Sequence, residues 1–244
     1  LVKSNKTFIV KRSVPKEQKL HASMELSSYI NHTIKDKGES IWIAQRAGRS
    51  KDGDDRTNPS LLKMFTLGGS ESNVIDNLKD LEIVPFSVTY EFNPCDALTM
   101  PELLNKAKGE SYEKQPMEDM IHMGKGLEGN KGRVEVSFSP PLNNTIESFR
   151  SIQNRNALFA AIANEIDRSV HWNYKLMPTN FIAFDLLNGN SDHADNYTDE
   201  ELENFKSYIN TQLEEVDGDE DLKRETFLKI YANPLINYLA AKEG

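Results

Sequence analysis

The sequence predicts an α/β protein with a largely parallel central sheet flanked by helices, followed by a helical C-terminal region. In the first half of the chain, short segments rich in β-branched and aromatic residues alternate with segments of helical periodicity. Such alternation is typical of parallel sheets with helical crossovers. In the second half, helical patterns follow one another. We therefore expect an α/β core at residues 1–142 and a helical region packed on it at residues 143–244.

Four short segments of the first half have the composition of strands, at residues 7–12, 40–45, 82–90 and 133–138. Between the first two, Leu26, Ile30 and Ile34 recur at helical spacing, and Gly38 lies where a helix would end. Shorter helical patterns occupy residues 61–67 and 74–81. This order of strand, helix and strand favours a parallel arrangement.

The second half carries two long apolar stripes at helical spacing. The first consists of Leu158, Ile162, Ile166 and Val170, and the second of Leu202, Phe205, Ile209 and Leu213. Thr198 and Glu201 form the sequence pattern of a capping box before the second stripe. A last helix is predicted from about Asp221. Both stripes are expected to be core.

The charge of the chain is unevenly distributed. Residues 1–63 contain 13 Lys and Arg against 7 Asp and Glu, whereas the rest of the chain contains 16 against 31. The basic first quarter is either an anion-facing region or a solvated basic face. The acidic balance of the remainder argues against nucleic-acid binding. Cys95 is the single cysteine, so no intrachain disulfide is possible, and we expect a reducing compartment.

Three segments combine apolar strands with residues suited to anion binding. Residues 8–12 (FIVKR) end in two cations, and a guanidinium can bind two phosphate oxygens at once. In residues 41–53 (IWIAQRAGRSKDG), an apolar run enters a turn of small residues with three cations, where backbone amides can also bind an anion. Residues 81–91 (LEIVPFSVTYE) hold a proline inside an apolar run, which indicates an edge or an irregularity.

In this order, the three segments resemble the second, third and fourth sequence blocks of the glycerol-3-phosphate and 1-acylglycerol-3-phosphate acyltransferase superfamily. The resemblance covers about residues 5–140, and residues 177–187 are similar to a later helical segment of the glycerol-3-phosphate branch. It implies that Arg12 binds the substrate phosphate, with Arg49 also holding it, and that the second and third segments complete the acceptor site. The substrate-binding residues that it implies are Arg12, Arg46, Gly48, Arg49, Ser50 and Pro85.

The chain departs from the family pattern at two places. The family's first block is His followed five positions later by Asp, and none of the five His residues here has an Asp at that distance. We expect that block upstream of residue 1, so the catalytic residues stay unknown. In addition, Arg46 and Ala47 stand where the family has Glu and Gly. An arginine only donates hydrogen bonds, whereas a carboxylate would accept them from glycerol hydroxyls, so the acceptor is expected to be unusual.

The resemblance implies an O-acyltransferase that moves a fatty acyl group from acyl-CoA or acyl carrier protein to a hydroxyl of glycerol 3-phosphate, lysophosphatidate or a related head group. The alternative is a non-catalytic lipid-binding or anion-binding relative of that family. No metal or other cofactor is expected. No apolar run approaches the roughly 18 residues of a membrane span. The lipid substrates that the resemblance implies indicate membrane association, so we expect a cytoplasmic protein that contacts the inner face of the membrane peripherally.

Overall fold

The computed structural model describes residues 15–46, 51–69 and 73–243. These residues are mostly helical, and their only sheet consists of two antiparallel strands. The predicted α/β fold with a largely parallel central sheet is therefore wrong. The predicted helical character of the C-terminal region is confirmed.

Two of the four predicted strands form, and they pair with each other. Strand β1 (Phe86–Tyr90) runs antiparallel to β2 (Val134–Phe138), with Val88 opposite Val136. The predicted segment 82–90 thus begins its strand only after Pro85, which has no amide hydrogen to donate to a ladder. Residues 40–45 adopt no regular element, and residues 7–12 lie outside the described residues. Strand propensity depends on a partner to pack against, and composition alone does not supply one.

The chain divides into two compact units, and each unit is built from three separate segments of the sequence. The first unit consists of Leu1–Ala47, Arg56–Pro85 and Pro140–Ile166, and the second consists of Gly48–Asp55, Phe86–Ser139 and Asp167–Gly244. The predicted boundary between residues 142 and 143 stays a prediction.

Within the described residues, the first unit holds one helix of 17 residues and three helices of six or seven residues. They are α1 (Lys19–Lys35), α2 (Pro59–Phe65), α3 (Val74–Lys79) and α6 (Asn143–Ser148), with single 3₁₀ turns at Lys16–Gln18 and Phe149–Ser151. Asn58 and Asn73 begin α2 and α3, and each side chain accepts a hydrogen bond from the amide two residues on, which satisfies one free donor of the first turn. Gly38 follows α1 with φ of 66°, as its place in the sequence predicts.

In the part of the chain that the structure describes, the second unit holds the two-stranded sheet and five helices of 11 to 24 residues. Its helices are α4 (Asp96–Ala107), α5 (Glu118–Glu128), α8 (Pro178–Asn188), α9 (Asp199–Glu214) and α10 (Glu220–Glu243), while α7 (Arg155–Trp172) contributes residues to both units. The capping box of Thr198 and Glu201 is confirmed, because each side chain accepts a hydrogen bond from the other residue's amide. All four residues of the first predicted stripe are buried.

The core of the second unit lies between α4, α8, α9 and α10. Ile182, Phe205 and Phe227 are at most 2% exposed, and they pack in one cluster with Met100 and Ile209. Burial of such side chains stabilises the fold by about 1.5–3 kcal/mol each. This cluster fixes the start of α4, which carries part of the candidate site.

The two-stranded sheet differs from this core, because its buried side chains are polar and its exposed side chains are apolar. Ser87 and Thr89 of β1 are buried, whereas Val88 between them is 38% exposed. On β2, Val136 and Phe138 are 50% and 68% exposed. Because side chains alternate along a strand, the apolar residues of both strands share the outward face.

Candidate functional site

The structure describes two of the six residues predicted to bind substrate. Arg46 is half-buried and follows Gln45, whose carbonyl oxygen accepts a hydrogen bond from the Asn58 amide at 2.9 Å. Pro85 is buried directly before β1. The other four lie outside the described residues, so the phosphate contact that Arg12 and Arg49 were expected to make stays a prediction. Those four are Arg12, Gly48, Arg49 and Ser50.

A cleft of about 200 Å³ opens in the second unit. It lies between the end of β1, the start of α4 and one face of α5. The lining combines two ammonium groups, an imidazole, a phenol, an amide and a thiol. These groups belong to Lys51, Lys131, His122, Tyr90, Asn93 and Cys95. The cleft can therefore offer hydrogen-bond donors and positive charge to an anionic or polyhydroxylated ligand.

Two of the three motif segments meet at this cleft. Lys51 belongs to the segment at residues 41–53, and Tyr90 belongs to the segment at residues 81–91. The two residues are 39 positions apart in the sequence, yet both line one cavity. Sequence analysis placed the segments in one site, but the residues that it named in them were Arg46, Gly48, Arg49, Ser50 and Pro85 rather than Lys51 and Tyr90.

The two lysines of the lining have different partners. The Lys51 ammonium group forms an ion pair with Glu102 of α4, and its side chain is 15% exposed. The Lys131 ammonium group donates to the carbonyl oxygens of Leu127 and Gly129, at 3.1 and 2.9 Å. It thus satisfies carbonyls at the C-terminal end of α5, where a positive charge is favoured. Both ammonium groups are held at the cleft by these contacts.

The turn from β1 into α4 forms one wall of the cleft. The Asn93 side-chain oxygen accepts a hydrogen bond from the Cys95 amide at 3.0 Å, which tightens the turn. The Cys95 thiol donates to the carbonyl oxygen of His122 at 3.3 Å and so links this wall to α5. His122 is 4% exposed, so its imidazole is fixed by packing.

A buried carboxyl group is linked to that wall by hydrogen bonds. Asp96 is 2% exposed and accepts hydrogen bonds of 2.6 Å from the hydroxyls of both Tyr208 and Tyr231. The Tyr231 hydroxyl in turn accepts a hydrogen bond from the Asn93 amide at 3.0 Å. Burial raises the pKa of Asp96, although the tyrosine hydrogen bonds oppose that shift, and burial also raises the pKa values of both tyrosines. The network ties α4, α9 and α10 to the cleft.

An acidic residue adjoins His122 on α5. Glu118 lies one helical turn before it, and both side chains face the protein interior. Glu118 accepts hydrogen bonds from the Tyr112 hydroxyl at 2.7 Å and the Gln115 amide at 3.0 Å. Burial raises the pKa of Glu118, but these hydrogen bonds and the nearby His122 outweigh it and lower the pKa overall. The carboxylate is therefore present at neutral pH beside the imidazole.

Sequence analysis missed His122 and Lys131. The spacing of Glu118 and His122 was visible, because residues four apart share a helix face. The inward orientation of this pair could not be predicted. The apolar residues Met120, Ile121 and Met123 would ordinarily form the buried face of such a helix, yet they are exposed. No sequence signal links Lys131 to Lys51.

Within residues 15–46, 51–69 and 73–243, no group of three His, Cys, Asp or Glu side chains has an arrangement that could hold a metal ion. None of the described helices has the length and apolar character needed to cross a bilayer.

Comparisons of the chain with models of known protein families, with curated proteins and with solved structures found no match.

Proposed function

We propose that this chain holds the phosphorylated head group of an acyl acceptor in the cleft of the second unit, as part of a glycerolipid O-acyltransferase. The observation that carries the proposal is the meeting of Lys51 and Tyr90 in one cleft together with Lys131. Both motif segments that supply Lys51 and Tyr90 resemble acceptor-binding blocks of that family. The two-stranded sheet departs from the fold that the resemblance implied, so the support comes from the cleft.

The cleft offers suitable chemistry for a phosphate ester of glycerol. Two ammonium groups can form charge-assisted hydrogen bonds to phosphate oxygens, each contributing about 1.5–3 kcal/mol. Binding of a dianion would also offset the desolvation of Lys51, whose present partner is the single carboxylate of Glu102. The Tyr90 hydroxyl and the Asn93 amide can hydrogen-bond the glycerol hydroxyls.

In the proposed reaction, an acceptor hydroxyl attacks the carbonyl carbon of an acyl thioester, supplied by acyl-CoA or acyl carrier protein. The new ester C–O bond forms as the C–S bond breaks, and the hydroxyl proton ends on the thiol. A histidine takes that proton first as general base. His122, with the Glu118 carboxylate beside it, is the candidate for this base within the described residues.

The test is an acyl-transfer assay of the complete protein with labelled acyl-CoA. Glycerol 3-phosphate, lysophosphatidate and an amino-acid lipid compete as acceptors. We expect transfer to a phosphorylated acceptor, and we expect Lys131→Met to raise the acceptor KM at least about tenfold. Lys108→Met, which removes an exposed lysine at the end of α4, is the matched control and should leave the KM unchanged.

Two further variants assign the remaining roles. Arg12→Ala should raise the acceptor KM by more than about tenfold if its guanidinium binds the phosphate. His122→Asn should lower kcat by about a hundredfold if its imidazole is the base, and should leave kcat unchanged if another group takes the proton. Phosphate binding without any transfer would instead support the non-catalytic relative. Absence of both transfer and phosphate binding would overturn the proposal.

A further inference from the structure

A short segment that follows Lys51 connects the cleft with helix α10. Lys51 itself lines the cleft. The Asn233 side-chain amide donates to the Asp52 carbonyl oxygen at 2.6 Å, and the Asn237 side-chain amide donates to a carboxylate oxygen of Asp54 at 3.1 Å. Asn237 is only 3% exposed. Two side chains of α10 therefore hold the chain directly after Lys51.

Gly53, between these two contacts, packs closely against the backbone of α10. Its φ is 70°, in the left-handed region that favours glycine. A Cβ at this position would lie 2.3 Å from the Ile230 carbonyl oxygen and 3.1 Å from the Pro234 Cδ. A backbone oxygen inside a helix cannot move aside as the end of a flexible side chain can. Both the conformation and the space thus require glycine at residue 53.

The point of contact on α10 is itself irregular. Pro234 lies inside the helix and has no amide hydrogen, so it cannot donate to the Ile230 carbonyl oxygen four residues earlier. The same carbonyl oxygen faces Gly53. A proline inside a helix and a glycine with positive φ both depart from local structural rules, and such departures are expected where function requires them. Here the two meet at one contact, two residues from Lys51.

Helix α4 holds the same segment. The Lys106 ammonium group donates to the Asp52 carboxylate at 2.8 Å, and Glu102 forms the ion pair with the Lys51 ammonium group. Glu102 and Lys106 are four residues apart and so share one face of α4. The backbone after Lys51 and the end of its side chain are therefore both fixed before any ligand binds.

We propose that α10 positions Lys51 in the cleft through its contacts with Asp52 and Gly53, so that the ammonium group binds the phosphate oxygens of the acceptor. This inference rests on the head-group site proposed above. A lysine side chain is long and flexible, and ordering it on binding costs conformational entropy. A lysine that is held in place beforehand loses less. Neither Asn233 nor Gly53 is among the described residues that line the cleft, so both act through Lys51.

The first measurement is the reactivity of each lysine of the full chain toward N-hydroxysuccinimide acetate, followed by mass spectrometry. In the wild type, Lys51 should react much more slowly than the exposed Lys108, because its ammonium group is paired and its side chain is 15% exposed. Asn233→Ala and Gly53→Ala should each raise the Lys51 rate towards that of Lys108. Asn173→Ala is the matched control, since this half-buried side-chain amide also donates to a backbone carbonyl oxygen, at 2.8 Å. It should leave the Lys51 rate unchanged.

The second measurement is the binding of glycerol 3-phosphate by isothermal titration calorimetry. Asn233→Ala should raise the Kd about threefold to tenfold, because the ligand must then order Lys51 at the expense of binding free energy. In a Lys51→Met background, Asn233→Ala should leave the Kd unchanged, since its effect depends on that lysine. An equal rise in both backgrounds would show a general structural effect and would contradict the proposal.

Circular dichroism of each variant establishes that it folds. If Gly53→Ala does not fold, Asn233→Ala carries the test, because Asn233 is half-buried and alanine favours a helix. Unchanged reactivity of Lys51 in folded Asn233→Ala would overturn the proposal. Raised reactivity of Lys51 in the variants, together with a wild type that does not bind glycerol 3-phosphate, would support the positioning of Lys51 by α10 and refute the head-group site instead.

Discussion

The two halves of the second unit bury opposite kinds of side chain. Around α8, α9 and α10, aromatic and aliphatic residues such as Phe205 and Phe227 are buried. In the two-stranded sheet and α5, Ser87 and His122 are buried, whereas Val136 and Leu127 are exposed. The first region has the polarity of a self-sufficient core. The second has polar side chains on its buried side, next to the cleft, and apolar side chains on its exposed side.

The comparison predicts that replacing two phenylalanines with alanine has very different effects on stability. Phe227→Ala should lower the free energy of unfolding by about 3–5 kcal/mol, because its ring is fully buried and the substitution leaves a cavity. Phe138→Ala should change it by less than about 1 kcal/mol, since that ring is 68% exposed. Urea unfolding at a concentration where the chain is monomeric measures both. Equal losses of unfolding free energy in the two variants would mean that the two-stranded sheet belongs to the core.

Two glycines near the cleft should respond in opposite ways to alanine. A Cβ at Gly129 would lie 2.6 Å from both the Pro94 Cβ and the Lys125 carbonyl oxygen, so Gly129→Ala should destabilise the protein by about 1–3 kcal/mol. A Cβ at Gly124 meets nothing within 4 Å, so Gly124→Ala should stabilise α5 by about 0.5–1 kcal/mol. Thermal and urea unfolding compare them. Tolerance of Gly129→Ala would show that α5 does not approach the Pro94 wall.

The carboxyl group beneath the cleft should respond to pH. Because burial raises the pKa of Asp96 above 3.8, the folded state binds its proton more tightly than the unfolded state. The contribution of Asp96 to stability is therefore greatest below pH 3.8 and falls as the pH rises through the folded pKa. Asp96→Asn cannot titrate, so the stability of the wild type relative to this variant should decrease over that range. A difference that grows with pH would contradict the raised pKa.

Local patterns predicted several of the helices, although α4 and α5 were not among them. The stripe from Leu158 to Val170 and the capping box at Thr198 both depend on residues within one or two turns of each other, so sequence alone identifies them. The last helix begins at Glu220, one residue from its predicted start.

Sheet topology could not be predicted in the same way. Residues 40–45 have the composition of a strand, but a strand also needs hydrogen bonds from a partner, and nothing local specifies one. β1 and β2 are separated by more than 40 residues that include two helices, a spacing that suits a parallel crossover as well as the antiparallel pair observed.

The site could be predicted only in part, because some of its features are local in the sequence and others join distant residues. The motif segments identified the regions of Lys51 and Tyr90, because small residues and cations at strand ends have a local chemical meaning. The contact between Cys95 and the His122 carbonyl, and the support of Asn93 by Tyr231, join residues far apart in the chain. Only the folded structure reveals such contacts.

Titration of the wild-type protein with glycerol 3-phosphate, followed by amide NMR shifts, tests the central claim most directly. We predict saturable shifts centred on the amides of Cys95, His122 and Lys131, with little change around the core near Phe227. Shifts absent from the cleft at millimolar ligand, or centred on another part of the chain, would contradict the assignment of the cleft as the head-group site.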